Sequence, residues 1–339
     1  MSNARGCLVW IGRVFLAIMV LALLLAGIGY FWQQNALAQD ALAYPAQGEF
    51  YQVDGRTMHL YCEGEGTPIV VLDAGLGGWS IDSANLQSEL ATQTTACAYD
   101  RAGYGWSDPA TGERHAQAIA DDLLDLLDAA EVDNQIILIG FSYSGLSSRL
   151  FTIQNPERVA GLVLLDPAHE TDVSIYQGDL AQQQKSLVGI YGAFGTLARV
   201  GLVRFLEPEE IAPFAPFIPE GKPERYYTRL SGSQWWFTSQ NEFSAMIEGT
   251  GADQVVQAGN LPSDLPLVVI IADDAASEEM TDFYTQRLES LQSLAAQSEQ
   301  GEYVLAENIA HNDLVEQTEL IGDIVRQMID QIQSNPANS

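Results

Sequence analysis

Lysine is nearly missing from this 339-residue chain. Lys185 and Lys222 stand beside thirteen arginines and 45 acidic residues, for a formal net charge of −30. A surface of that sign repels phosphates and excludes nucleic acid as a partner. Simple solubility accounts for the imbalance as well as salty surroundings would. Cysteine is scarce too: Cys7, Cys62 and Cys97, none at metal-ligand spacing to anything. Only four histidines are present, at 59, 115, 169 and 311, so candidates for a general base are few. No internal repeat is visible.

A long uncharged run occurs near the start. Arg5 and Arg13 precede Val14 to Trp32, nineteen residues without a charge, closed by Tyr30, Phe31 and Trp32 as an interfacial aromatic belt. The length predicts a single bilayer-spanning helix. Arginines before it and none soon after predict a cytoplasmic amino terminus with the bulk of the chain outside. Ala36-Leu37-Ala38 offers a signal-peptidase site, so secretion after cleavage is the rival expectation. Residues 1–40 are thus read as anchor (or signal peptide) and linker, and 48–335 as one domain. Outside the cytoplasm a disulfide persists. Cys62 and Cys97 each lie near a predicted strand end, and either a bridge between them or two buried thiols fits the sequence.

With 47% hydrophobic residues, a sizeable core is available, and its pattern is regular. Phe50 to Tyr61 reads as two strands joined at Asp54-Gly55. Apolar strands follow at Ile69–Leu72, Thr94–Tyr99, Ile136–Ile139, Val159–Leu165, Leu267–Ala272 and Glu302–Ala306, with helices between them. In the long helix from Ala116 to Glu131, Ile119, Leu123, Leu126 and Leu127 take one side. Asp121, Asp122, Asp125 and Asp128 take the other and are read as a solvated face rather than a cation site. Alternation lapses from about 172 to 260, where proline and a cluster of Tyr226, Tyr227, Trp235, Trp236 and Phe237 predict an inserted helical cap. Strands alternating with helices imply a mostly parallel sheet covered on both faces, with chemistry at the carboxyl ends of its strands.

Gly140-Phe141-Ser142-Tyr143-Ser144 follows one such strand and opens a helix, the setting in which G-x-S-x-G exposes a nucleophilic serine. Ser144 replaces the second glycine, and Gly145 comes next. Acyl transfer by Ser142 needs a base, an acid to orient it and donors for the oxyanion. His311, in the loop after the last strand, is the expected base. The backbone N–H groups of Leu76, in the loop Ala74-Gly75-Leu76-Gly77-Gly78, and of Tyr143 are the expected oxyanion donors. Two positions preserve the order serine, acid, histidine: Asp166 after the strand beyond the elbow, and Asp273-Asp274 after the next.

From about Gly48 to Ile332 the sequence resembles the α/β-hydrolase superfamily. More narrowly, Leu72-Asp73-Ala74-Gly75-Leu76-Gly77-Gly78, Tyr99-Asp100-Arg101-Ala102-Gly103-Tyr104-Gly105-Trp106-Ser107-Asp108 and Leu165-Asp166-Pro167-Ala168-His169-Glu170 resemble bacterial membrane-anchored members. The resemblance implies an eight-stranded, mostly parallel sheet with a cap and a serine hydrolase. Relatives often have histidine where this chain has Ala74 and Phe141, and glycine where it has Ala310. Many place an aspartate at the position of Ala275, which is one reason to prefer Asp166 over Asp274 here. Serine at the elbow, where haloalkane and epoxide openers carry aspartate, directs the expectation to a small-molecule carboxylic ester or amide. No metal or organic cofactor is then required. Two rivals use the same fold. An aminopeptidase resembling proline iminopeptidases would need acidic cap residues such as Glu209, Glu210 or Glu224 for the substrate amine. A non-catalytic binding protein would need neither base nor acid.

Overall fold

The computed structural model describes residues 2–174, 178, 181–206, 223–273 and 281–334. Eight strands form one sheet: β1 (Glu49–Val53), β2 (Arg56–Glu63), β3 (Ile69–Asp73), β4 (Ala96–Asp100), β5 (Ile136–Phe141), β6 (Val159–Leu165), β7 (Leu267–Asp273) and β8 (Gly301–Glu307). Their order is β1-β2-β4-β3-β5-β6-β7-β8. β2 runs against both neighbours, and every other pairing is parallel. The hairpin turns at Asp54 and Gly55, both at positive φ, as a two-residue turn between twisted strands requires.

The helices are α1 (Ser2–Ala43), α2 (Ala84–Leu90), α3 (Ala116–Ala129), α4 (Ser144–Gln154), α5 (Ala181–Arg199), α6 (Pro223–Leu230), α7 (Ser233–Glu248), α8 (Thr250–Ala258), α9 (Thr281–Ala295) and α10 (Thr318–Ser334). Strand residues alternate between two cores because successive side chains point to opposite faces. Ile136, Leu138, Leu162 and Leu164 join Leu123, Leu126 and Leu127 of α3, Phe151 of α4 and Leu291 of α9. Ile137, Ile139, Val163 and Leu165 join Leu86 and Leu90 of α2 with Ile321, Val325 and Met328 of α10. Both faces of the central strands are therefore covered, which is why those strands are apolar throughout.

Four details modify the sequence-based expectations. The acidic side of α3 is not wholly solvated: Asp122 is buried, bound by Arg56 and paired with Arg114 at 2.9 Å. Two cations from the hairpin strand and the loop before α3 fold over it, a long-range pairing that helical periodicity does not report. Cys62 and Cys97, opposite each other on β2 and β4, form a disulfide. Helix α1 continues past the apolar run to Ala43, so the expected linker is helical over much of its length. Between β6 and β7, α5 to α8 supply the helical insertion, and its rings pack around Trp79 and Tyr104 from the sheet loops.

Candidate active site

The carboxyl ends of β3, β5 and β6 and the loop after β8 converge on one point. Ser142 follows β5 with φ +54°, and Asp166 follows β6 with φ +39°. Both are non-glycine residues in the left-handed region, a strained choice that surrounding structure must enforce. The enforcement is by backbone: Ser142 N–H donates to Leu165 O (3.0 Å), Ala168 N–H to Ser142 O (2.8 Å) and Asp166 N–H to Ile270 O (2.7 Å). Strand ends pinned in this way project both side chains to one side of the sheet.

His311 lies between them. Its Nε2 is 2.9 Å from Ser142 Oγ, and its Nδ1 is 2.5 Å from Asp166 Oδ2. Phe141, preceding the serine, stacks on the imidazole with ring centroids 4.9 Å apart. An apolar ring thus supports the histidine from the side, at the position where relatives often carry histidine. Burial alone would raise the Asp166 carboxyl. The His311 hydrogen bond and the Arg287 guanidinium outweigh it and leave the group below its ordinary value. Arg287 donates to Asp166 Oδ1 and O at 3.3 Å and to Pro167 O at 3.0 Å. Of the two alternative acids, Asp273 accepts from Tyr284 Oη at 2.8 Å, and Asp274 lies outside the described residues.

The departure at Ser144 has a local reason. Its hydroxyl is buried, with Asp73 O (2.8 Å) and Phe141 O (2.9 Å) both in reach of its one proton, so a side chain is accommodated there. Where none is accommodated is at Gly145, because an added Cβ would come within 2.3 Å of Pro167 Cβ. The close approach of elbow and β6 loop falls one residue later than the motif's spacing suggests.

Under the glycine loop sits a cluster that sequence reasoning missed. Arg101, fully buried, donates to Asp73 Oδ1 (3.0 Å), to Ala74 O, to Gly75 O (2.6 Å), and to both carboxylate oxygens of Glu242 on α7 (3.0 Å each). Carbonyl and N–H of one peptide unit point in opposite directions. Holding Gly75 O on the guanidinium therefore turns the Leu76 N–H away from it. Among the described residues, neither Leu76 N–H nor Tyr143 N–H donates to any protein group. The Tyr143 N–H also stands at the amino end of α4, where helix donors are free and the dipole favours negative charge. No local pattern marks the cluster, because Glu242 lies 141 residues from Arg101.

A cavity of about 230 Å³ opens over these groups, lined by Ser142, His311 and Leu76 together with Leu86, Phe243 and Met246. Two carboxyls also reach its wall: Asp73, held by Arg101, and Asp82. Burial drives the Asp82 carboxyl well above its ordinary value, only partly offset by the Trp79 N–H it accepts at 3.1 Å. The other histidines are engaged elsewhere: His59 with Asp100 (2.9 Å), His115 as cap of α3, and His169 with Glu170 (3.2 Å). Among the described residues no cluster of His, Cys, Asp and Glu is arranged to hold a metal ion.

A family model for the alpha/beta hydrolase fold matches residues 67–186, the stretch containing the glycine loop, the elbow and Asp166. The chain has the alpha/beta hydrolase fold. This hydrolase-fold chain is 22% identical over 292 residues to the uncharacterized protein YbdG of Bacillus subtilis, covering 84% of this chain and 86% of that one. It is 26% identical over 202 residues to a (lyso)-N-acylphosphatidylethanolamine lipase of Bos taurus, covering 55% of this chain and 57% of that protein. Among solved structures it superposes on a putative lipase of Acinetobacter baumannii with a TM-score of 0.62 at 20% identity, over 89% and 97% of the two chains. At that identity the likeness is one of fold.

Proposed function

We propose that this chain is a serine hydrolase that cleaves carboxylic esters through an acyl-enzyme. The observation that carries the reading is His311 bridging Ser142 and Asp166 at hydrogen-bond distance on both ring nitrogens. In the acylation step Ser142 Oγ attacks the ester carbonyl while His311 Nε2 takes its proton. Asp166, held ionised by its surroundings, accepts from Nδ1–H and stabilises the imidazolium. The negative charge forming on the carbonyl oxygen is met by the Leu76 and Tyr143 N–H groups. Collapse expels the alcohol with the proton from His311. Water, deprotonated by the same nitrogen, then releases the acid and restores the serine.

Esters are favoured over amino-terminal peptides by the cavity. Its walls are mostly apolar, and neither of its carboxyls suits an ammonium group: Asp73 is already paired with Arg101, and Asp82 is pushed by burial toward the neutral form. Glu224 is exposed at the start of α6 and does not line the cavity, and Glu209 and Glu210 lie outside the described residues. The names of the lipase relatives point the same way. Helix α1 is long and apolar enough to cross a membrane over Cys7–Ala43, and the same properties suit a signal sequence. We read it as an anchor with the catalytic domain outside the cytoplasm, supported by Arg5 and Arg13 before the run and by the Cys62–Cys97 disulfide.

Labelling with a fluorophosphonate probe tests the mechanism. The full-length protein is expected to label, and Ser142→Ala to lose labelling together with ester hydrolysis, by about 10⁴-fold or more in kcat. Asp166→Asn is expected to fall by about 10⁴-fold for want of the right tautomer. A folded wild type that neither labels nor turns over short acyl esters would leave the non-catalytic reading in its place.

A further inference from the structure

The cap is joined to α1, and the join lies at the end of the apolar run. From Cys7 to Ala26 the helix is exposed all round, whereas Gly29, Gln33, Leu37 and Asp40 form a stripe turned to the cap. Spacings of about four residues place them on one helical face. Gln33 is buried, donating to Ser231 O at 2.8 Å and accepting from Arg204 Nε at 2.6 Å. Arg204 also binds Asp40. Trp32 stacks on Phe205 with centroids 5.6 Å apart, and Gly29 lies so close to Val200 O that an added Cβ would be 2.6 Å from it.

This junction fixes a depth. Val14 to Trp32 is nineteen residues, about 28 Å of helix at 1.5 Å per residue, close to the thickness of a bilayer's hydrocarbon core. Gly29 and Trp32 form the last turn of that span. Whatever touches them is carried to the membrane surface, whichever way the helix is oriented. What touches them is the segment from the end of α5 to Phe205. Three large apolar side chains on it are exposed: Leu197 (42%), Leu202 (50%) and Phe205 (71%). Arg199, also exposed, stands among them in a chain with little positive charge. An apolar edge with a cation beside it, continuous with an apolar helix, suits lipid acyl chains and anionic headgroups.

We propose that the cap edge 197–205 is seated in the interface of a lipid bilayer, and that the substrate is a long-chain acyl ester held in that bilayer. The substrate half rests on the ester-hydrolase reading above. Ring contacts connect the seated edge to the pocket: α5 packs on α7 through Phe194 on Trp236 (4.6 Å) and Tyr191 on Phe243 (5.9 Å), and Phe243 lines the cavity over Ser142. The apolar walls contributed by Leu86, Phe243 and Met246 suit an alkyl chain.

The test uses the full chain in phosphatidylcholine vesicles, with Cys7→Ser as background and an environment-sensitive fluorophore on Phe205→Cys or, as a control, on Asp323→Cys. Asp323 is exposed on α10. Quenching of the 205 label by a nitroxide-bearing lipid, with the 323 label unaffected, is the expected result. Equal accessibility of both labels to a water-borne quencher overturns the proposal. A 205 label shielded from lipid and water alike, with copies cross-linking through it, would mean that a second copy of the chain covers the edge, and the proposal falls. A parallel assay compares Leu202→Glu/Phe205→Glu with wild type. Hydrolysis of a long-chain ester in vesicles is expected to fall about tenfold, the scale of one buried apolar side chain lost. Hydrolysis of a soluble short-chain ester is expected to hold, which also reports folding. Equal loss on both esters in a folded variant removes the lipid-substrate half. A quenched 205 label in a wild type that cleaves neither ester supports the seated edge and sinks the hydrolase reading instead.

Discussion

Around Ser142 the chain is held by its backbone, whereas the cap above it is held by side chains. The elbow is fixed by amide hydrogen bonds between strand ends and by contacts so close that Gly145 has no room for a methyl group. The cap reaches the sheet through Glu242 on Arg101, through Tyr104 Oη donating to the same carboxylate at 2.8 Å, and through stacked rings such as Trp79 on Tyr226 at 4.2 Å. Backbone pinning fixes where the Ser142 and Asp166 side chains start, the positioning that the proposed chemistry needs. Side-chain attachment leaves composition free to vary, as a wall that selects substrates requires. The two modes of attachment differ in how they fail.

The largest effect is expected at the cap's attachment. Arg101→Met strands Asp73 and Glu242 as buried, unpaired carboxylates, and removing one partner of a buried ion pair costs about 3–5 kcal/mol. Urea denaturation measures it. Because the same guanidinium holds Gly75 O, the variant is also expected to lose kcat more than it raises KM. An unchanged midpoint would show that the cap hangs on its rings alone.

A smaller effect is expected at the elbow, where crowding rather than charge is disturbed. Gly145→Ala pushes a Cβ into Pro167 and is expected to cost about 1–3 kcal/mol as an overpacked site. Ser144→Ala, losing the hydroxyl's hydrogen bond to backbone oxygen, is expected to cost about 1 kcal/mol. If Ser144→Ala proved the worse of the two by thermal unfolding, the closest approach would not be at Gly145.

The smallest concerns pH. His59 is buried beside Asp100; burial lowers its affinity for a proton, but the hydrogen bond and charge of Asp100 and the Gln47 carbonyl prevail and raise it above its ordinary value. A raised folded-state value means that this stabilisation is fully present below the ordinary imidazole range near pH 6.5 and is lost as pH rises through the folded value. Melting temperature is therefore expected to decline more steeply above neutrality in wild type than in His59→Gln. Parallel profiles would assign the ion pair no part in joining the first hairpin to the β4 loop.

Much of the candidate site was legible because its parts occupy strand ends, and strand ends are marked by local pattern. Ile136–Ile139 before a small-residue turn pointed to Ser142 and chain order to His311, while the acid stayed open between Asp166, the preferred one, and Asp273-Asp274. The regular alternation of strands and helices from Ile69 onward was legible for the same reason: periodicity is a property of neighbours in sequence. Asp122 was misread because its partners, Arg56 and Arg114, lie outside the helix whose face was being judged. The Arg101 cluster went unread because Glu242 is 141 residues away.

By itself, then, the sequence determined the strand and helix periods, the elbow with its serine, the order of the candidate acid and base, and an apolar helix of membrane-spanning length, all of which depend on residues within a few turns of one another. Only the tertiary structure decided that His311 meets both Ser142 and Asp166, that Gly145 rather than residue 144 must lack a side chain, that Arg101 ties the cap to the glycine loop, and that α1 meets the cap edge at Gly29 and Trp32. Each of those is a contact between distant segments. Its geometry follows from how the sheet orders its strands, which no local pattern encodes.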